Sequence, residues 1–292
     1  MWTAYSCGMT RYKSPNDTAD YRLVEDFDPT LVHKVAKWYL PVLEKYYRAE
    51  FIGLDNIPDG PFLGVGNHTG IHYMPESYLW LCKYHSNHEH RPMYTLVHDF
   101  VYKVAEKLRL PLHALGILDA EKGSAYEALR EGCAVTVYPA GDRDNAKPFY
   151  ERNEIDFFGH TGYVKLALNA RVPIVPVVGV GGGESVFTLT SGSGFAEWTG
   201  LKKYFKIHTW PVFWSFPFGW HVGHFPTLGL PLPTQVTVSV LKPIDTSGYA
   251  EDAANDPLII AELNAKVLHA MQAEVDRLVK GRIPVIGRIG KK

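Results

Sequence analysis

Apolar positions along this chain recur in two periods. From Asp28-Pro29 to about Arg48, Leu31, Val35, Trp38, Tyr39, Val42 and Leu43 recur at helical spacing, and a proline suits a first helical turn, so a helix is predicted there. Residues 51–70 (FIGLDNIPDGPFLGVGNHTG) then hold two short apolar runs around the turn Pro58-Asp59-Gly60. They predict two strands, the second over 62–65 with Asn67 and His68 at its carboxyl end. Further strands are predicted at 114–118, 133–141 (CAVTVYPAG), 172–180 (VPIVPVVGV) and 235–244. Helices are predicted at 124–131, with Tyr126, Ala128 and Leu129 inward, and at 162–170 (GYVKLALNA). A last amphipathic helix spans 257–280, with Ile260, Leu263, Val267, Met271, Val275 and Leu278 on one face.

Continuous apolar strands alternating with helices predict an α/β fold with a mainly parallel central sheet and helices on both faces. In such sheets the site lies at the carboxyl ends of the strands. Residues 1–27 are polar and turn-rich and read as an irregular arm. A single domain is expected over 28–280, followed by a basic tail over 281–292. The stretch 201–230 breaks the rhythm with nine aromatics, three lysines and no acid. Packed core and a membrane-facing surface are both consistent with it, and the prolines between Pro211 and Pro233 favour the surface.

A chain of 292 residues, 46% hydrophobic and 21% charged, excludes disorder, collagen and coiled coil. Thirty basic against 31 acidic residues leave no global field for a polyanion, so nucleic acid is not an expected partner. Cys7, Cys82 and Cys133 form no C-x-x-C pair, which points to a reducing compartment and to neither a disulfide framework nor a cysteine-based zinc site. The start lacks the pattern of a secretory leader, and no apolar run reaches about 18 residues. A cytoplasmic protein, free to lie on a membrane surface, is expected.

His68, flanked by small and polar residues after a buried strand, is a candidate general base, because an imidazole accepts a proton near neutrality. A structural histidine bonded to its own loop is the competing reading. Glu76 stands eight residues on, past Pro75, and could fix the imidazole tautomer. Asp142, Arg143 and Asp144 follow the strand at 133–137; they could hold a phosphate and support the histidine, or form a solvated charged turn. His68, His72, His85, His88 and His90 raise a metal-dependent hydrolase as a rival, but no H-E-x-x-H occurs, and no metal site is predicted. Gly179 to Glu184 fails the G-x-G-x-x-G pattern and reads as a strand-end turn lining the groove, and G-x-S-x-G is absent.

From about Arg48 to Lys280 the chain resembles the glycerolipid and lysophospholipid acyltransferases, nearest the branch similar to mono- and diacylglycerol acyltransferases. Ile57-Pro58 with GPFLGVGNHTG resembles the family's first block, VYPAGDRD its P-x-G-x-R block, FFGHTGYVKLALNARVPIVPVV its third and fourth, and LPLPTQVTVSVLKPI its closing strand. The commonest pattern, H-x-x-x-x-D, is broken by Tyr73, and Pro75-Glu76 takes the place of the acid. Asp144 sits where the branch often has Glu, Ala140 replaces a frequent Gly or Glu, and His160 replaces an Arg in Gly-x-x-Gly.

The resemblance implies a glycerol-3-phosphate acyltransferase-like fold and acyl transfer from a coenzyme A or carrier-protein thioester to a lipid hydroxyl. The thioester is a co-substrate, and no cofactor is implied. His68, Glu76 and Asp144 would form the catalytic set. Asn67, Thr69, Gly70, Gly141, Arg143 and His160 would contact substrate, Thr69 and Gly70 as oxyanion donors through their backbones and Arg143 as a phosphate anchor. The expected acceptor is a lysophospholipid or related glycerolipid, met at the cytoplasmic face of a membrane. A catalytically inactive lipid-binding protein on the same scaffold is the other rival.

Overall fold

The computed structural model describes residues 27–71, 73–88, 91–97, 102, 107–119, 123–205, 207–224 and 229–288. The expected N-terminal arm, Phe27 apart, lies outside them, as do His72 and His90.

Helix α1 (Pro29–Tyr46) starts with Asp28 accepting the Leu31 N–H at 2.9 Å and Pro29 in the first turn. Its buried residues are Val32, Ala36, Leu40 and Leu43. Of the apolar positions that marked this helix in the sequence, only Leu43 faces the core. Leu31, Val35, Trp38, Tyr39 and Val42 face solvent, with Trp38 75% exposed. The helix carries two apolar stripes of the same period, and periodicity alone does not say which one is buried.

Seven strands build the central sheet: β1 (Glu50–Ile52), β2 (Leu63–Gly66), β3 (Met93–Val97), β4 (Ile117–Asp119), β5 (Ala134–Val137), β6 (Ile174–Val180) and β10 (Thr237–Val240). Their order is β1-β10-β6-β2-β5-β3-β4. The five strands from β6 to β4 in that order are parallel, whereas β10 runs antiparallel to β6, with β1 alongside it. The sheet is thus mainly parallel, as expected, with a reversed pair at one edge.

Helices cover both faces. α1 and α2 (Pro75–Asn87) place Leu40, Leu43, Leu79, Trp80 and Tyr84 against Val175, Val177, Val238 and Val240. On the opposite face, α3 (Ser124–Arg130), α5 (Gly162–Ala170) and α8 (Pro257–Val279) place Leu129, Val164, Leu263, Val267 and Met271 against Val65, Val135, Ile174 and Val178. Between α3 and α5 lies the single turn α4 (Asp142–Asn145). β6 is buried throughout because its alternate residues serve the two layers in turn.

After β6 comes a small antiparallel sheet of β7 (Phe187–Thr190), β8 (Val212–Ser215) and β9 (Gly219–Val222), with the short helices α6 (Ser193–Trp198) and α7 (Leu201–Phe205) between β7 and β8. The aromatic stretch divides here: Phe213 is fully buried, while Phe216, Phe218 and Trp220 are exposed. The expected basic tail is folded as far as Arg288, in the hairpin β11 (Arg282–Ile283) and β12 (Gly287–Arg288). The reason is electrostatic: Arg282 is buried in a two-pronged ion pair with Glu184, at 2.9 and 3.0 Å. No described helix is long and apolar enough to cross a membrane.

Candidate active site

β2 pairs directly with β5, so their carboxyl ends bring the His68 loop and the Asp142–Asp144 turn together. The imidazole of His68 stacks on the ring of Tyr138, with centroids 3.6 Å apart and planes 15° apart. Its Nδ1 lies 2.9 Å from Ser77 Oγ. His68 keeps one edge at the surface, at the rim of the sheet, while the surrounding protein encloses the rest of the residue.

Glu76 and Asp144 both reach this loop, but they meet its backbone and not the ring. Glu76 Oε1 accepts the Thr69 N–H at 2.5 Å, and Asp144 Oδ2 accepts the His68 N–H at 2.6 Å. The expected carboxylate partner of the imidazole is therefore replaced by the Ser77 hydroxyl. Adjacent residues in the first turn of α2 point about 100° apart, so Glu76 turns toward β6 while Ser77 faces the ring. The same bond spends the Thr69 N–H, which removes it as an oxyanion donor.

Gly70 holds a left-handed φ of +83°, and a Cβ there would lie 2.8 Å from the Gly182 carbonyl. The Gly182 turn is equally tight, since a Cβ on it would fall 2.0 Å from Glu76 Oε2. This is why Gly179 to Glu184 runs to small residues: the turn is packed onto the buried glutamate. Asn67 is not available to substrate, because both ends of its amide bond the Gly179 backbone, at 2.9 and 2.8 Å, tying β2 to β6. Tyr73, at the position of the family's usual acid, donates to the Gly229 carbonyl at 2.7 Å and so ties the loop to the aromatic segment.

Burial sets the charge states. It pushes the His68 imidazole down to about 3 and the Glu76 carboxyl up to about 8, the latter against the N–H bonds it accepts. Asp144 is also raised by burial, opposed by Lys147. Lys147 is itself buried, its ammonium between the Asp144 carboxylate and the Glu154 carbonyl.

Gly141 starts α4 at φ 54° and leaves open space beside its Cα. Arg143 lies over the Phe158 ring at 5.1 Å and meets no carboxylate among the described residues. His160 is exposed, with Nδ1 on the Phe157 carbonyl at 2.8 Å, and bonds to no member of the His68 cluster. Sequence reasoning missed Ser77, Tyr138 and Lys147. Lys147 alone left a signal, standing three residues after Asp144. Among the described residues no three His, Cys, Asp or Glu side chains gather as a metal site.

Residues 48–180 match the Acyltransferase family. The uncharacterized protein Rv0502 of Mycobacterium tuberculosis is 31% identical over 271 residues, which cover 91% of this chain and 72% of that protein. The human DGAT1/2-independent enzyme synthesizing storage lipids is 26% identical over 236 residues, covering 78% of this chain and 61% of that one. In fold, the chain is similar to the crystal structure of the 1-acyl-sn-glycerophosphate (LPA) acyltransferase PlsC from Thermotoga maritima. That likeness has a TM-score of 0.50 at 18% identity and covers 86% of this chain and 83% of the other.

Proposed function

The chain belongs to the acyltransferase superfamily, and from that premise we propose that it moves a fatty acyl group from an acyl-CoA or acyl-carrier-protein thioester to a hydroxyl of a lysophospholipid or related glycerolipid. His68 is the general base. The observation that carries this reading is the bonding of its ring: Nδ1 rests on Ser77 Oγ, and Nε2 has no hydrogen-bond partner among the described residues. With Nδ1–H donating to the hydroxyl, Nε2 keeps its lone pair. Burial keeps the imidazole uncharged at neutral pH.

Nε2 takes the proton of the acceptor hydroxyl as that oxygen attacks the thioester carbonyl, and the C–S bond breaks as the tetrahedral intermediate collapses. The proton then passes from the imidazole to the departing thiolate, leaving ester and thiol with no acyl-enzyme. Positioned base catalysis is worth about 10²- to 10⁴-fold. The Asp144 and Glu76 bonds to successive N–H groups fix the loop and so the direction of the ring. Arg143, with no carboxylate to satisfy it, anchors a substrate phosphate.

Peripheral attachment to the cytoplasmic face of a membrane completes the proposal. Two exposed apolar surfaces support it, the outer stripe of α1 and the Phe216, Phe218 and Trp220 face of the small sheet. The Tyr46 hydroxyl joins their supports by donating to the Pro231 carbonyl at 2.5 Å.

The test is to incubate the protein with labelled acyl-CoA and a panel of lysolipids and identify the product by mass spectrometry. An acylated lipid is expected, with thioester consumption lowered at least about 100-fold in His68→Ala and unaffected by EDTA. Consumption that survives His68→Ala unchanged overturns the mechanism, and loss with EDTA returns the metal-dependent hydrolase.

A further inference from the structure

The described arginines divide by what their guanidinium groups meet. Arg48, Arg91 and Arg288 donate to backbone carbonyls, Arg171, Arg277 and Arg282 pair with carboxylates, and Arg109 and Arg130 are exposed to solvent. Arg143 and Arg152 differ from these. Each is half-buried, each lies over an aromatic ring, and neither has a carboxylate partner among the described residues. Arg152 stacks its guanidinium 4.0 Å above the Phe149 ring and spends one N–H on the Phe149 carbonyl at 2.6 Å. Its Nε is buried without a partner. Glu184, the acid whose charge reaches it, is already taken by Arg282 and by the Val285 N–H at 2.7 Å.

The sheet sets these two arginines on opposite sides of the base. In the order β6-β2-β5, His68 follows β2 and Arg143 follows β5. Arg152 packs on the turn after β6: a Cβ on Gly183 would lie 2.9 Å from Arg152 Cβ and 3.5 Å from that of Thr69, the neighbour of His68. A half-buried guanidinium without a counter-charge is costly, and a stacked, oriented one presents its open edge to an oxyanion at little entropic expense. The reaction brings two anionic substrates together, a thioester whose carrier bears phosphates and an acceptor with a phosphate of its own.

We propose that Arg152 is a second anion-binding residue of this site, holding a substrate phosphate distinct from the one Arg143 holds. The inference rests on the acyl-transfer reading for the identity of its two ligands. One arginine serves the carrier of the thioester and the other the headgroup of the acceptor, with His68 between them.

Equilibrium titration of the full chain with CoA and with a short-chain lysophosphatidate, for wild type, Arg143→Gln and Arg152→Gln, tests the division of labour. Arg152→Gln is expected to weaken one ligand about tenfold or more and leave the other within about twofold, and Arg143→Gln to show the opposite selectivity. Arg152→Lys, which keeps the charge and the stem but not the fork, should lose part of the affinity for the same ligand as Arg152→Gln. It carries the test if the glutamine variant melts early. Unchanged affinity for both ligands in the Arg152 variants, or a loss for the same ligand in both arginine variants, overturns the proposal. Titration needs no turnover, so an enzyme that binds both ligands and acylates nothing sinks the proposed function and still decides the role of Arg152.

Discussion

An imidazole whose Nδ1 rests on a hydroxyl is held in place without a charged partner, and the base role assigned to Nε2 requires the tautomer in which Nδ1–H donates and Ser77 Oγ accepts. Ser77→Ala removes that bond and nothing from substrate, so kcat should fall about tenfold with KM within about twofold, a milder loss than in His68→Ala. The two titrations at the site oppose each other in stability. His68, lowered from 6.5 to about 3 in the fold, contributes stability that is present above the unfolded value and lost as pH falls through about 3. Glu76, raised from 4.5 to about 8, contributes stability that is present below the unfolded value and lost as pH rises through about 8. Between about pH 6.5 and 8 only the glutamate term changes, so Tm should decline there, and Glu76→Gln should flatten that limb in a calorimetric pH series. A decline that persists in the glutamine variant would place the alkaline sensitivity elsewhere.

At the level of elements, α5 and α8 were readable because each has one apolar stripe, and the Gly162–Ala170 and Pro257–Val279 helices match their predicted spans within a residue. α1 was readable as a helix but not as to its buried side, since Val32, Ala36, Leu40 and Leu43 and the outer series from Leu31 to Tyr46 share one period. β3 was missed because Tyr94 and Thr95 break its apolar run and only its first two residues are buried, and the small sheet because its strands are four residues long and set among glycines and prolines. The site was legible as a set of residues and not as a set of bonds. His68, Glu76 and Asp144 do converge, but which atom each carboxylate meets depends on the direction of one helical turn. The outer stripe of α1 has its own test. Exposed Trp38 and Val42 with Lys34, Lys37 and Lys45 alongside suit an anionic interface, so Trp38→Ser with Val42→Ser should weaken sedimentation with anionic vesicles about tenfold or more at unchanged Tm. Binding by the wild type should also fall with added salt.

At the scale of the molecule, the β11–β12 hairpin closes the rim of the sheet beside the site. Glu184 ends the glycine turn packed on Glu76 and Thr69, and Arg282 of the C-terminal hairpin fastens it from behind. Arg48 secures the same hairpin by donating to the carbonyls of Val285 and Ile286. A buried pair of this kind adds little beyond what apolar residues of the same size would give, but cutting it in half leaves a bare charge inside the protein. Arg282→Met should therefore cost about 3–5 kcal/mol in urea unfolding, and Arg282→Met with Glu184→Leu should recover most of that loss. Activity adds a second readout. If the pair positions the glycine turn, the double variant regains stability without regaining kcat, because an apolar pair does not hold the turn against Glu76 in the same place. Recovery of both would make the hairpin a stabilising strap with no bearing on the base, and recovery of neither would assign its hold to the Arg48 bonds.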